Sequence, residues 1–69
     1  MAAGIFIGDE TTAAGFRLGG LEVRITEPAE AGRALTAALE ARPPLVVLAA
    51  AHAQRIAEDQ LEAAQRRIT

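Results

Sequence analysis

Chemistry-bearing side chains are few in this sequence, and they cluster where an α/β fold would use them. Asp9 and Glu10 follow the apolar triplet Ile5-Phe6-Ile7, and Gly8, Gly15, Gly19 and Gly20 punctuate the stretch "IGDETTAAGFRLGGLEV" that contains them. The turn after the first strand of a parallel α/β protein is where nucleotide phosphates usually bind, against the free N–H groups of a helix N-terminus. Here two carboxylates already hold that position and would repel a phosphate. The glycine spacing fits neither GxGxxG nor a P-loop, and the chain has no lysine. Paired acidic residues after strand one also occur in phosphoacceptor receiver domains. That chemistry needs an aspartate after the third strand, where this chain has Ala49-Ala50-Ala51. His52, the single histidine, has no serine, cysteine or second histidine near it to make a catalytic or metal-binding set. It is expected to be a polar surface or capping residue at a helix start. No catalytic, cofactor-binding or metal-binding residue is therefore assigned, and no cofactor is expected.

Composition narrows the function classes further. A chain of 69 residues makes one small domain, spanning 1–69. Such a chain buries only about 60% of the surface its unfolded form exposes. With no cysteine, neither a disulfide nor a thiolate metal site can reinforce it, which leaves a partner or self-association. The net charge is −2, and only Phe6 and Phe16 are aromatic, so neither a basic footprint nor a stacking platform for nucleic acid is present. The apolar run from Leu45 to Ala51 is far short of the roughly 20 residues of a membrane span. The opening "MAAGIFIGDE" lacks the basic region of a signal peptide. A cytoplasmic protein with no direct membrane insertion is expected.

Three apolar stretches alternate with three helical ones, the pattern of an α/β domain with a mostly parallel sheet. The first strand, Ala3 to Gly8, is apolar without alternation, as befits a strand covered on both faces. Asp9 stands as N-cap to a helix over Glu10 to Leu18, with Thr12 supplying the bonded N–H, and Gly19-Gly20 ends it. The second strand, Leu21 to Thr26, alternates strictly, with Leu21, Val23 and Ile25 on one side and Glu22, Arg24 and Thr26 on the other. That pattern suits an edge position. Pro28 opens a second helix that runs to about Ala41, with Ala31, Leu35, Ala38 and Leu39 as its buried stripe, and Pro43-Pro44 stops it. A third strand spans Leu45 to Ala50. A third helix, from Ala51 or His52 to Arg67, turns Ala53, Ile56, Ala57, Leu61, Ala64 and Ile68 inward and closes a Glu62–Arg66 pair on its surface.

A right-handed β-α-β-α-β-α path that reverses after the second strand gives a three-layer, doubly wound sheet in the order 2-1-3. The third strand is then an edge, although its unbroken apolar pattern is that of an interior strand. Proteins normally cover such an edge, so a neighbour is expected: a strand beyond Thr69, a second copy of the chain, or a partner.

What stays unassigned is "GFRLGG". Phe16 is either a core side chain or a contact for a partner, and Arg17 is either solvated or paired with a carboxylate. At these residues the sequence closely resembles the opening of the small F component of V-type and A-type rotary ATPases, whose usual pattern is close to "IGDEDTVTGFRLAGIEV". Gly8, Asp9, Glu10, Thr12, Gly15, Phe16, Arg17, Leu18 and Gly20 match, Gly19 replaces an alanine and Leu21 an isoleucine. The stretches "EPAEAGRALTAALEA" and "PPLVVLAAAHAQRI" agree more loosely with the family's second helix, third strand and following helix.

The resemblance implies a non-catalytic central-stalk protein that docks on the coiled-coil component of the same stalk, usually given the letter D. It would help couple ATP hydrolysis or synthesis to proton or sodium transport from the cytoplasmic side, peripheral to the membrane. Asp9, Gly15, Phe16, Arg17, Leu18 and Gly20 are the motif residues that could meet the partner. Members of the family continue into a fourth strand and a C-terminal helix, so this chain reads either as a fragment or as a shortened form that closes its sheet otherwise. The alternatives are a self-associating domain of the same fold, a homodimer through the third strand or helix, and a small ligand-binding α/β module.

Overall fold

The computed structural model describes residues 4–68, with the backbone alone for residues 67 and 68. Ala3, expected to open the first strand, and the side chain of Ile68, expected on the inner face of the last helix, lie outside the described residues. The elements run β1 (Ile5–Gly8), α1 (Glu10–Leu18), β2 (Glu22–Ile25), a 3₁₀ turn (Pro28–Glu30), α2 (Ala31–Glu40), β3 (Val46–Leu48), α3 (Ala50–Ala53) and α4 (Glu58–Ile68). All strands are parallel and the sheet order is β2-β1-β3, as the crossover argument requires.

Strand β1 is the axis of the molecule. Ile5, Phe6 and Ile7 are between 0% and 3% exposed, so both faces of the strand are covered. Side chains alternate along a strand, and the register therefore sorts the sheet into two faces. Phe6 lies level with Val23 and Val47, under α1, where its ring stacks on Phe16. Ile5 and Ile7 lie level with Val46 and Leu48 on the opposite face. There they meet the expected α2 stripe of Ala31, Leu35, Ala38 and Leu39, together with Ile56 and Ala64. The larger core is thus on the α2 and α4 side, and α1 covers the other side over β1 and β2.

The charged positions of β2 fall on the α2 side but at the rim, where Arg24 Nε donates to Glu22 Oε2 at 2.9 Å. Its apolar positions face α1. The alternation seen in the sequence is the mark of this edge.

The third helix departs from expectation. It is two helices, with a turn over residues 54–57 between them. The N–H groups of Arg55 and Ile56 close back on the carbonyls of His52 and Ala53, so the break is a tight turn. Breaking there lets Ile56 drop into the core, while Ala57, expected on the inner face, is exposed. After the turn α4 is tied to α2 by Gln60, whose Nε2 donates to the Gly32 carbonyl at 2.8 Å and to Thr36 Oγ1 at 3.1 Å. Among the described residues no ion pair links Glu62 to Arg66. Both side chains are exposed, and solvated pairs of this kind gain little from closing.

Gly8 is fixed by its surroundings. A Cβ there would stand 2.5 Å from the tip of the Phe6 ring and 2.8 Å from the Ala49 side chain. Overpacking of this kind costs about 1–3 kcal/mol, and each kcal/mol lowers the melting temperature of so small a domain by roughly 4–8 °C. Gly8→Ala is therefore expected to lower the melting temperature by at least about 4 °C in a thermal scan followed by circular dichroism.

Candidate functional site

The motif stretch builds one helix and both of its ends. At the N-terminus the Asp9 carboxylate accepts from the Thr12 backbone N–H at 3.0 Å and from the Thr12 hydroxyl at 3.1 Å. This is the expected N-cap. The bonds from Thr12, the backbone one first, hold the Asp9 carboxyl below the usual carboxylate range.

At the C-terminus the Gly20 N–H donates to the Arg17 carbonyl at 3.1 Å and the Leu21 N–H to the Phe16 carbonyl at 3.2 Å. That pair of bonds is the Schellman pattern, and it needs a left-handed residue just past the helix. Gly20 supplies it with φ of +94°, while Gly19 keeps a negative φ. The second glycine of the pair is the conformational one.

Within α1 the motif divides into two faces. Ala13 is buried, and Phe16 is half-buried with its ring 4.6 Å from that of Phe6 and 9° from parallel. Stacked pairs of this sort add about 0.5–1.5 kcal/mol beyond the area they bury. On the outer side Thr11, Ala14, Gly15 and Leu18 are all exposed, and helical spacing puts them on one face. Leu18 is 92% exposed, and among the described residues nothing beyond the helix's own backbone lies within 4 Å of where a Gly15 Cβ would be. Arg17 is exposed at the margin of this face.

A second location is the crevice at the carboxyl ends of the strands, where doubly wound sheets hold their ligands. A hollow of about 500 Å³ lies there, lined in part by Asp9, Glu10, Glu27 and His52. Three carboxylates around it disfavour a phosphate. His52 overturns the expectation of a surface or capping residue: it is 2% exposed, and its Nε2 donates to the Thr26 carbonyl at 2.6 Å. A carbonyl can only accept, so this bond requires a proton on Nε2, and Nδ1 is buried without a hydrogen-bond partner among the described residues. The imidazole thus ties the start of α3 to the end of β2, across the top of β1. One sequence signal could have exposed this role: His52 follows an apolar strand and has alanine on either side, so no polar neighbour keeps it in water.

Among the described residues no group of three or more His, Cys, Asp or Glu side chains is placed to hold a metal. Nor is any helix there long and apolar enough to cross a membrane. Sheet order, crossover pattern and a motif helix with a bare outer face define a small doubly wound α/β domain. The chain belongs to the family of the ATP synthase (F/14-kDa) subunit, whose model matches residues 5–69. Neither curated proteins nor solved structures give a match to it.

Two measurements test the site's anatomy. The lowered Asp9 pKa stabilises the fold above the unfolded value of about 3.9, and this contribution is lost as pH falls through the lower folded value. Asp9→Asn keeps a capping oxygen but cannot titrate. Its melting temperature is expected to fall less steeply than that of the parent when the pH is lowered below about 4. His52→Ala removes a buried hydrogen bond and leaves a cavity. We expect a loss of about 2–4 kcal/mol in urea titration, with the Phe6–Phe16 side of the sheet unaffected in packing.

Proposed function

We propose that this chain is a non-catalytic central-stalk component of a V-type or A-type rotary ATPase, acting as a single α/β domain. In this reading it docks on the coiled-coil component of the stalk through the outer face of α1. There it helps couple ATP turnover to proton or sodium movement, on the cytoplasmic side and peripheral to the membrane. Membership of a family of ATP synthase subunits supports the complex. The observation that carries the docking face is the pairing of Leu18, 92% exposed, with the open space at Gly15 on the motif helix.

Physical chemistry gives that pairing its meaning. Glycine in a helix interior costs about 0.5–1 kcal/mol relative to alanine, and among the described residues nothing packs against Gly15 to offset the cost. A partner helix does offer such a gain, because a missing Cβ lets two backbones approach closely. Leu18, one turn on, adds an apolar anchor, and Arg17 beside it can pair with a carboxylate on an acidic coiled coil. Gly20 and Asp9 act differently: they hold the two ends of the helix that carries the surface.

Gly15→Ala separates folding from docking. We expect it to raise the melting temperature of the isolated chain, in line with a gain of about 0.5–1 kcal/mol, and to weaken binding to the stalk coiled coil in calorimetric titration. Leu18→Asp is expected to leave the melting temperature nearly unchanged and to abolish a one-to-one complex in native mass spectrometry. Parent-like binding by both variants sinks the assignment of this face.

A further inference from the structure

Among the described residues two buried side-chain polar atoms lack a hydrogen-bond partner, Thr26 Oγ1 and His52 Nδ1. Buried polar groups are almost always paired, so two orphans in one place ask for a ligand or a water. Both residues line the same hollow, the crevice of about 500 Å³ at the carboxyl ends of the strands. His52 is 2% exposed there, and its Nε2 is committed to the Thr26 carbonyl, so Nδ1 is the ring atom left over.

The rest of the lining selects the kind of ligand. Asp9 and Glu10 follow β1, and Glu27 follows β2. Among the described residues the ion pairs join Glu22 to Arg24 and Glu30 to Arg33, so none of these three carboxylates is neutralised. Carboxylates only accept hydrogen bonds, and the Thr26 hydroxyl and the Nδ1 of a neutral imidazole can accept as well. The hollow therefore favours a cation that carries several N–H donors. Its acidic groups rim the hollow without converging: no three His, Cys, Asp or Glu side chains among the described residues are placed to hold a metal ion. Between the acceptors the wall is apolar, at Ile25, Pro28 and Ala51, and Ile25 is 47% exposed.

We propose that this hollow receives the arginine side chain of a partner protein, with the guanidinium among Asp9, Glu10 and Glu27 and the aliphatic stem against Ile25 and Pro28. A long basic side chain matches both parts of the lining, since its stem covers apolar surface while its head meets the charge. Guanidinium suits acceptors that do not converge, because its donors are spread in a plane, whereas the ammonium of lysine is a compact point charge. None of the residues that form the site belongs to α4. The proposal does not rest on docking through the outer face of α1, which is made by Thr11, Ala14, Gly15 and Leu18.

The single histidine makes the test direct, because every imidazole signal in an NMR spectrum of the chain belongs to His52. N-acetyl-arginine amide is the probe, and N-acetyl-citrulline amide, its neutral isostere, is the control. The arginine compound is expected to move the His52 signals along a saturable curve at millimolar concentration, and the citrulline compound to leave them in place. Glu27→Gln should weaken binding of the arginine compound about two- to fivefold, the range of an exposed ion pair. The Glu27 side chain makes no capping bond to the 3₁₀ turn, so this variant should keep the parent's melting temperature. Glu10→Gln repeats the test at a second exposed carboxylate. Glu40→Gln removes the same charge at the far end of α2 and should bind like the parent. Shifts that do not saturate, or that are equal for the two compounds, overturn the proposal and leave water as the partner of Thr26 and His52. So does parent-like binding by both Glu27→Gln and Glu10→Gln, or a loss in Glu40→Gln as large as theirs.

Discussion

Everything in this domain is referred to the two-sided burial of β1. Four residues, Ile5 to Gly8, must satisfy a layer on each face and a strand on each side. Isoleucines fill the α2 side, a phenylalanine fills the α1 side, and a glycine leaves room for that phenylalanine's ring. The alternatives at each position are few. A bulkier residue at Gly8 strikes the ring, and a polar one at Ile5 or Ile7 strands a hydrogen-bonding group in the core. The other elements have more latitude, since each is exposed somewhere.

Much of the architecture could be read from residue types alone. The unbroken apolar β1, the alternating β2 and the α2 stripe fall where their patterns placed them, and so does the cap of Asp9 on Thr12. Sheet order followed from handedness and strand count. The carboxyl-terminal third was less legible for a physical reason. Its alanine-rich run satisfies helical periodicity almost anywhere, so periodicity could not locate the turn over residues 54–57. That turn is set by tertiary demands: Ile56 must reach the core, and Gln60 must reach the Gly32 carbonyl. The burial of His52 is hidden from the sequence for a similar reason. A lone polar residue is usually solvated, and its acceptor, the Thr26 carbonyl, is 26 positions away in sequence.

The motif itself turns out to combine two kinds of constraint. Asp9 and Gly20 obey local rules, a carboxylate that satisfies free N–H groups and a glycine that takes the left-handed turn, and any isolated helix of this shape would ask for them. Phe16 obeys the core. Gly15 and Leu18 answer to neither, since among the described residues nothing gains from a bare backbone or an exposed leucine at those positions. The residues that folding leaves unexplained are therefore the informative ones, and they share a face.

The stacked rings of Phe6 and Phe16 have one more consequence. The chain has two phenylalanines and neither tryptophan nor tyrosine, so these rings are its only aromatic chromophores. Their near-ultraviolet circular dichroism depends on being held 4.6 Å apart in a fixed chiral setting. The protein thus carries a built-in reporter confined to one junction, that between β1 and α1. Loosening of α4 would leave that signal intact, while detachment of α1 would erase it, even with every other helix still formed.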